Sequence, residues 1–144
     1  MAVTQLSVFL ENRPGMLDKT VAAITAAGIN IRALSLADTK DFGILRMIVS
    51  DIEKTKAAVS GDTVIKETHV IAIGMDDKSG ALNNILRILS ADGINIEYVY
   101  AFTGAVRGKA YVVLRVDDVG HAEKTLSANG IETLSDCDIK EFLE

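Results

Sequence analysis

Two segments of this chain repeat each other at a fixed offset, and this repeat limits the possible folds more sharply than any other feature of the sequence. Asn12-Arg13-Pro14-Gly15-Met16-Leu17 leads to Ala27-Gly28-Ile29-Asn30-Ile31, and about 65 residues later Asp77-Lys78-Ser79-Gly80-Ala81-Leu82 leads to Asp92-Gly93-Ile94-Asn95-Ile96. Both glycines, the leucine and the Ile-Asn-Ile run keep their places. An apolar run precedes each copy (Leu6 to Leu10; Ile71 to Met75) and another follows it (Ile44 to Val49; Tyr111 to Val116). The 144 residues are therefore expected to form two domains, 1–68 and 69–144, divided near Glu67 to His69. No Gly/Ser-rich or Pro-rich linker stands between them, so the two units are expected to pack together.

Each half has the same periodicities. Leu6, Val8 and Leu10 alternate at strand spacing, as do Ile71, Ile73 and Met75. Leu17, Val21, Ile24 and Ala27 recur at helical spacing, matched by Leu82, Ile85, Leu86 and Leu89, which gives each helix one apolar face. Gly28 and Gly93 stand where a helix ends in a left-handed residue, and a β-branched strand starts just after each. Turns over 39–43 and 103–109 lead into third strands. Second helices are expected over Ile52 to Ser60 and Val119 to Ala128, and closing strands over Val64 to Glu67 and Glu132 to Leu134. The order is βαββαβ twice: an α+β fold of two ferredoxin-like sandwiches, each with strand order 4-1-3-2.

Helices cover only one face of such a sheet. Yet Ile44 and Ile48 lie opposite in phase to Leu45, Met47 and Val49, and Tyr111 and Val113 to Val112 and Leu114, so both faces carry apolar side chains. Scattered exposed hydrophobes are ordinary. The sharper expectation is self-association across the bare face as a homodimer.

Several function classes fit the composition poorly. Twenty acidic against fifteen basic residues give a net charge of −5, which opposes the phosphate neutralisation behind nucleic-acid binding. RNA binding on this fold calls for aromatics on the first and third strands, where Phe9 and Tyr111 are too few. The N-terminal stretch lacks a signal-peptide pattern, and no apolar run approaches a membrane span, so a cytoplasmic protein without membrane partners is expected. Cys137 lies between two aspartates, an acidic setting that makes it a poor candidate nucleophile, and His69 and His121 are far apart without ligand spacing. No metal, cofactor or catalytic residue is expected.

The loop between first strand and first helix carries the most specific chemistry. Pro14, the chain's only proline, fits a first helical turn, and Gly15 lets backbone approach a bound group. Free N–H groups around Gly15 to Leu17 and the positive end of the helix dipole suit a carboxylate or phosphate, although Pro-Gly can also simply shape a tight turn. Asn12 carries both a donor and an acceptor and can hold either half of an amino-acid zwitterion. Asn30 opens the second strand, an edge strand with free carbonyls, although an asparagine there can also bond its own backbone.

Glu11 to Leu17 followed by Ala27 to Ile31, twice in a βαββαβ frame, resembles the ACT domain, especially the form found in phosphoglycerate dehydrogenase. The resemblance covers both halves. It implies a regulatory module in which two units sit side by side through their second strands, forming a continuous eight-stranded antiparallel sheet with amino acids bound at the junction. By that resemblance one site comprises Asn12, Arg13, Gly15, Met16 and Leu17 with Asn95 and Ile96. The other comprises Asp77, Gly80, Ala81 and Leu82 with Asn30 and Ile31. Leu10 and Met75 replace a histidine that binds effector in the dehydrogenase, so serine is not implied as the ligand. Asp77 can hold an ammonium or cap the following helix. With no catalytic domain in the sequence, the output is expected to reach a metabolic enzyme or regulator in trans. Two other readings stand beside this one: a protein-interaction module without ligand, and an acylphosphatase-like hydrolase built on Arg13 and Asn30, whose characteristic glycine-rich loop is missing.

Overall fold

The computed structural model describes residues 2–39, 41–59, 61, 63–105 and 108–141. The elements run β1 (Val3–Glu11), α1 (Met16–Ala26), β2 (Ile31–Asp38), β3 (Phe42–Val49), α2 (Ile52–Ala58), β4 (Val64–Asp76), α3 (Ala81–Ala91), β5 (Ile96–Ala101), β6 (Lys109–Val116), α4 (Val119–Ala128) and α5 (Asp136–Glu141). Ser60, the expected last residue of the second helix, and parts of both expected turns (40, 106 and 107) lie outside the described residues.

All six strands form one antiparallel sheet in the order β2-β3-β1-β4-β6-β5. The expected 4-1-3-2 order holds in the first unit. In the second, Thr133 keeps the place of the fourth strand through a single bridge to Ile73. The fold is α+β, two ferredoxin-like units side by side along a continuous sheet.

The helix-covered faces follow the sequence pattern. Leu6, Val8, Leu10, Leu45 and Met47 pack with Ile24 and Ile29 in the first unit, and Ile71, Ile73, Val112 and Leu114 with Ile85 and Leu89 in the second. Helices α1 and α3 end alike. Gly28 (φ 74°) and Gly93 (φ 73°) take the left-handed conformation. Ile29 and Ile94 then donate back to the carbonyls of Ile24 and Leu89, closing the last helical turn and starting the next strand in the core.

Two expectations about the junction change. Closing strand and next opening strand are one element: β4 pairs with β1 through Val70 and with β6 from Ile71 onward, so the expected division near Glu67 to His69 falls inside an unbroken strand. The eight-stranded junction through the second strands is not formed within the chain, because β2 and β5 stand at opposite ends of the strand order. Among the described residues those ends meet at one bridge, Ala33 with Phe102, reinforced by the Thr103 N–H donating to the Arg32 carbonyl at 2.9 Å.

The sheet bends enough at β4 to turn its uncovered faces toward each other. Val3, Ala33 and Ile48 of the first unit form one buried cluster with Tyr100, Phe102, Tyr111 and Val113 of the second. Gln5, fully buried, accepts a hydrogen bond from the Tyr100 hydroxyl (2.6 Å) and donates to the hydroxyls of Tyr98 (2.8 Å) and Ser7 (3.3 Å). The Arg46 guanidinium lies 4.0 Å from the centre of the Tyr98 ring, a cation–π contact. Burial pushes the Tyr100 phenol far above its ordinary pKa, so it stays a neutral donor. The apolar bare faces that raised a homodimer are thus covered inside one chain.

Candidate functional site

The two loops of the repeat adopt the same backbone. In each, the N–H of the first helical residue reaches back three residues (Met16 to the Arg13 carbonyl, 3.4 Å; Ala81 to the Lys78 carbonyl, 3.3 Å). Gly15 (φ 87°, ψ −12°) and Gly80 (φ 90°, ψ −13°) occupy the third position of these turns. This is the type II turn, whose third position needs φ above zero and hence glycine. Pro14 fills the second position, where its ring presets φ. It therefore stands before the helix and not in its first turn, as the sequence reading placed it. Neither α1 nor α3 has a side-chain cap, so Asp77 does not cap α3; beyond the Met16 and Ala81 amides taken by the turns, the first-turn N–H groups of both helices have no side-chain acceptor and are suited to an anion.

Each loop borders a cavity within its own unit. In the first, about 500 Å3 is enclosed by Arg13, Met16, Lys19, Phe42 and Val64 among others. In the second, about 750 Å3 lies between Lys78, Gly80, Ala81, Lys109, Tyr111 and Glu132. The larger space sits where the fourth strand of the second unit is cut short. Lysines and helix donors line it for an anionic group, and Asp76 and Glu132 for a cationic one.

The site residues expected from sequence fall into two groups. Asn12 donates its side-chain amide to Asp38 (2.8 Å), and its backbone N–H bonds the Asp41 carbonyl (3.1 Å), pinning the loop to the β2–β3 turn. Arg13 pairs with Glu11 at 2.7 Å, both exposed. Gly15, Met16 and Leu17 follow at the helix start. Asn30 lies at the opposite end of that unit, just before β2 and not within it. Its backbone exchanges hydrogen bonds with Ser50, and its side chain faces solvent. Asn95 repeats this with Asp117.

The structure therefore brings Gly15, Met16 and Leu17 together with Asn12 and Arg13, and Gly80, Ala81 and Leu82 with Asp77. It does not bring either loop to the other unit's strand start. No hydrogen bond among the described residues, and none of the cavities above, joins Asn12 to Leu17 with Asn95 and Ile96, or Asp77 to Leu82 with Asn30 and Ile31. Nor do Arg13 and Asn30 converge as a hydrolase would require.

Sequence reasoning missed one polar group on the helix layer of the second unit. Asp92, at the end of α3, accepts hydrogen bonds from the Thr125 hydroxyl and from His121 Nε2 (2.9 Å). The Thr125 hydroxyl and, secondarily, the imidazole hold the Asp92 carboxyl below its usual pKa. Position 27, its counterpart in the first unit, is alanine, so the repeat gave no signal for this group. His69 is exposed on β4 and offers its carbonyl to Arg115, while Cys137 is exposed on α5. Among the described residues, no group of three or more His, Cys, Asp or Glu side chains is placed to hold a metal ion, and no helix is long and apolar enough to cross a membrane.

The molecule is a tandem frame of two small α+β units with twin glycine turns at its helix starts, and the chain belongs to the ACT domain pair family, whose model matches residues 1–143. Among solved structures it is similar to protein BT0572 from Bacteroides thetaiotaomicron, with 35% identity over 98% of this chain and 97% of that one and a TM-score of 0.88. It shares its fold with the ligand-free regulatory subunit of aspartate kinase from Thermus thermophilus (14% identity, 88% and 90% coverage, TM-score 0.61). The corresponding subunit from Thermus flavus is similar too (13% identity, 98% and 92% coverage, TM-score 0.55). No curated protein matches the sequence.

Proposed function

We propose that this chain is a non-enzymatic amino-acid sensor of the cytoplasm that acts on a metabolic enzyme or regulator in trans. The observation that carries this reading is the repeated turn: two helix N-termini with uncapped N–H groups, each opened by a glycine at positive φ and each bordering a cavity. A carboxylate fits there without a dedicated cation. The Thermus proteins are described as regulatory subunits, which accords with an output passed to a separate chain.

The composite sites expected from sequence need a second copy. Leu34 and Leu36 on β2 and Val99 on β5 are exposed on the two end strands of the sheet, whose outer edges, among the described residues, are joined at the Ala33–Phe102 bridge and by Thr103 to Arg32. Apolar edge strands of this kind invite pairing. A homodimer joined along these edges brings the loop of one copy to the Asn30 or Asn95 of the other. In this scheme residues 1–68 and 69–144 act as the two ligand-binding units, and the ligand favours the assembled arrangement by its difference in affinity between states.

Thermal unfolding against each of the twenty amino acids tests the reading. One or a few should raise the midpoint in proportion to the logarithm of concentration, and Asn12→Ala or Asn30→Ala should abolish the rise. No response at millimolar concentration overturns the sensor reading. It then favours an interaction module without ligand, a reading supported by the engagement of the Asn12 amide with Asp38.

A further inference from the structure

The fourth strand of the second unit stops at one bridge because the chain is diverted. Ser135 and Asp138 cap each other: Asp138 accepts the Ser135 N–H (2.7 Å) and hydroxyl (3.0 Å), and the Ser135 oxygen accepts the Asp138 N–H (3.3 Å). This reciprocal cap starts α5, which crosses to the first unit. There the Asp136 carboxylate takes both the backbone N–H and the hydroxyl of Thr4, at 2.8 and 2.9 Å. Thr4 lies where the ladder between β1 and β3, first paired at Leu6 with Met47, has ended. Ile139, 3% exposed, enters the core between the two bare faces beside Val3 and Ile48.

The same segment has a second attachment. Leu134 donates to the Ala72 carbonyl at 2.9 Å, and residues 130–132 with Leu134 wall the 750 Å3 cavity opposite Lys78 to Ala81. Residues 130–141 therefore touch the cavity at one end and β1 of the other unit at the far end, with the Ser135 cap as the rigid bend between.

We infer that residues 130–141 form a lever with a latch at its tip: α5 holds the first unit through Asp136 and Ile139, and bulk introduced into the second unit's cavity shifts Glu132 to Leu134 and loosens that hold. The use of this lever by an amino acid rests on the reading above. The lever itself does not, and its test needs no ligand.

Amide hydrogen exchange followed by NMR on the full chain decides it. In Asp136→Ala, and separately in Thr4→Val, the Leu134 and Ile139 amides, neither of which bonds the altered groups, should exchange about tenfold faster while Leu45 in β3 keeps its rate. Ala81→Phe places a ring in the cavity as a built-in occupant and should speed exchange at Thr4 and Ile139, at the far end of the lever. If Asp136→Ala and Thr4→Val leave Leu134 and Ile139 unchanged, or if all amides accelerate together, there is no separate latch. If those variants behave as expected but Ala81→Phe leaves Thr4 and Ile139 unmoved, the cavity and the latch are not coupled and the lever is overturned.

Discussion

The two units share a frame and differ on the bare face, most plainly at one cross-strand pair. In the first, Phe9 stands opposite Ile44; in the second, Gly74 stands opposite Tyr111. The large residue has changed strands. A Cβ on Gly74 would lie 2.6 Å from Tyr111 Cε1, so the ring rests on bare backbone there. The second unit also has the larger cavity and the shortened fourth strand. One duplicated sequence thus makes two cores of the same kind and two openings of different size, and the repeat predicts the former but not the latter.

The largest effects should test whether the cores are equivalent. Ile24 and Leu89 occupy matching positions in α1 and α3, and both are fully buried. Alanine at either should cost about 2–5 kcal/mol, measured by denaturant unfolding. A single transition shifted alike by both is expected, since β4 runs through both units. Two transitions, each moved by only one variant, would break the equivalence.

Gly74→Ala should come next, destabilising by about 1–3 kcal/mol as the Tyr111 ring is forced off its seat in the inter-unit core. A neutral result would mean that the ring moves freely and that the swapped pair does not shape the second cavity.

Ser79→Pro should sharpen the comparison of the loops. The turn at Lys78 to Ala81 matches the one at Arg13 to Met16, so proline should be accepted as it is at Pro14 and raise stability by about 0.4–1 kcal/mol through a more restricted unfolded chain. Pro14→Ala should lose a similar amount. A loss in Ser79→Pro would show that the two turns diverge at their second position.

The smallest effect belongs to the polar group present only in the second unit. The Asp92 pKa is lowered on folding, so its contribution is complete above the ordinary aspartate value and is lost as pH falls through the lowered folded value. Stability of the protein and of Asp92→Asn, compared across the acid range, should differ most near neutrality and converge in acid. A constant difference would show that ionisation of Asp92 plays no part.

Much of this was legible because periodicity reports burial. Leu6, Val8 and Leu10, the helical stripes and the two glycine stops placed ten of the elements close to where they lie. Two strands expected apart, Val64 to Glu67 and Ile71 to Met75, are one element, because the end of a repeat is not here the end of a strand. From Val64 to Ile73 there is no Gly, Pro, Asn or Asp to interrupt a strand, and that continuity was the signal for β4. Helix α5 was announced by Ser135 and Asp138 at capping-box spacing, a cue hidden by the expectation that the second copy would end as the first does. The burial of Gln5 has no signal along the chain, because its partners Tyr98 and Tyr100 lie on β5, 93 and 95 positions away.

The strand common to both units has a mechanical meaning. At about 3.3 Å per residue, the thirteen residues of β4 make a rod roughly 43 Å long, clamped by β1 along one half and by β6 along the other. A clamped rod transmits torque. Relative motion of the two units must twist or bend β4 itself, so strain introduced at one end of the protein arrives at the other as rotation rather than being absorbed in a slack joint.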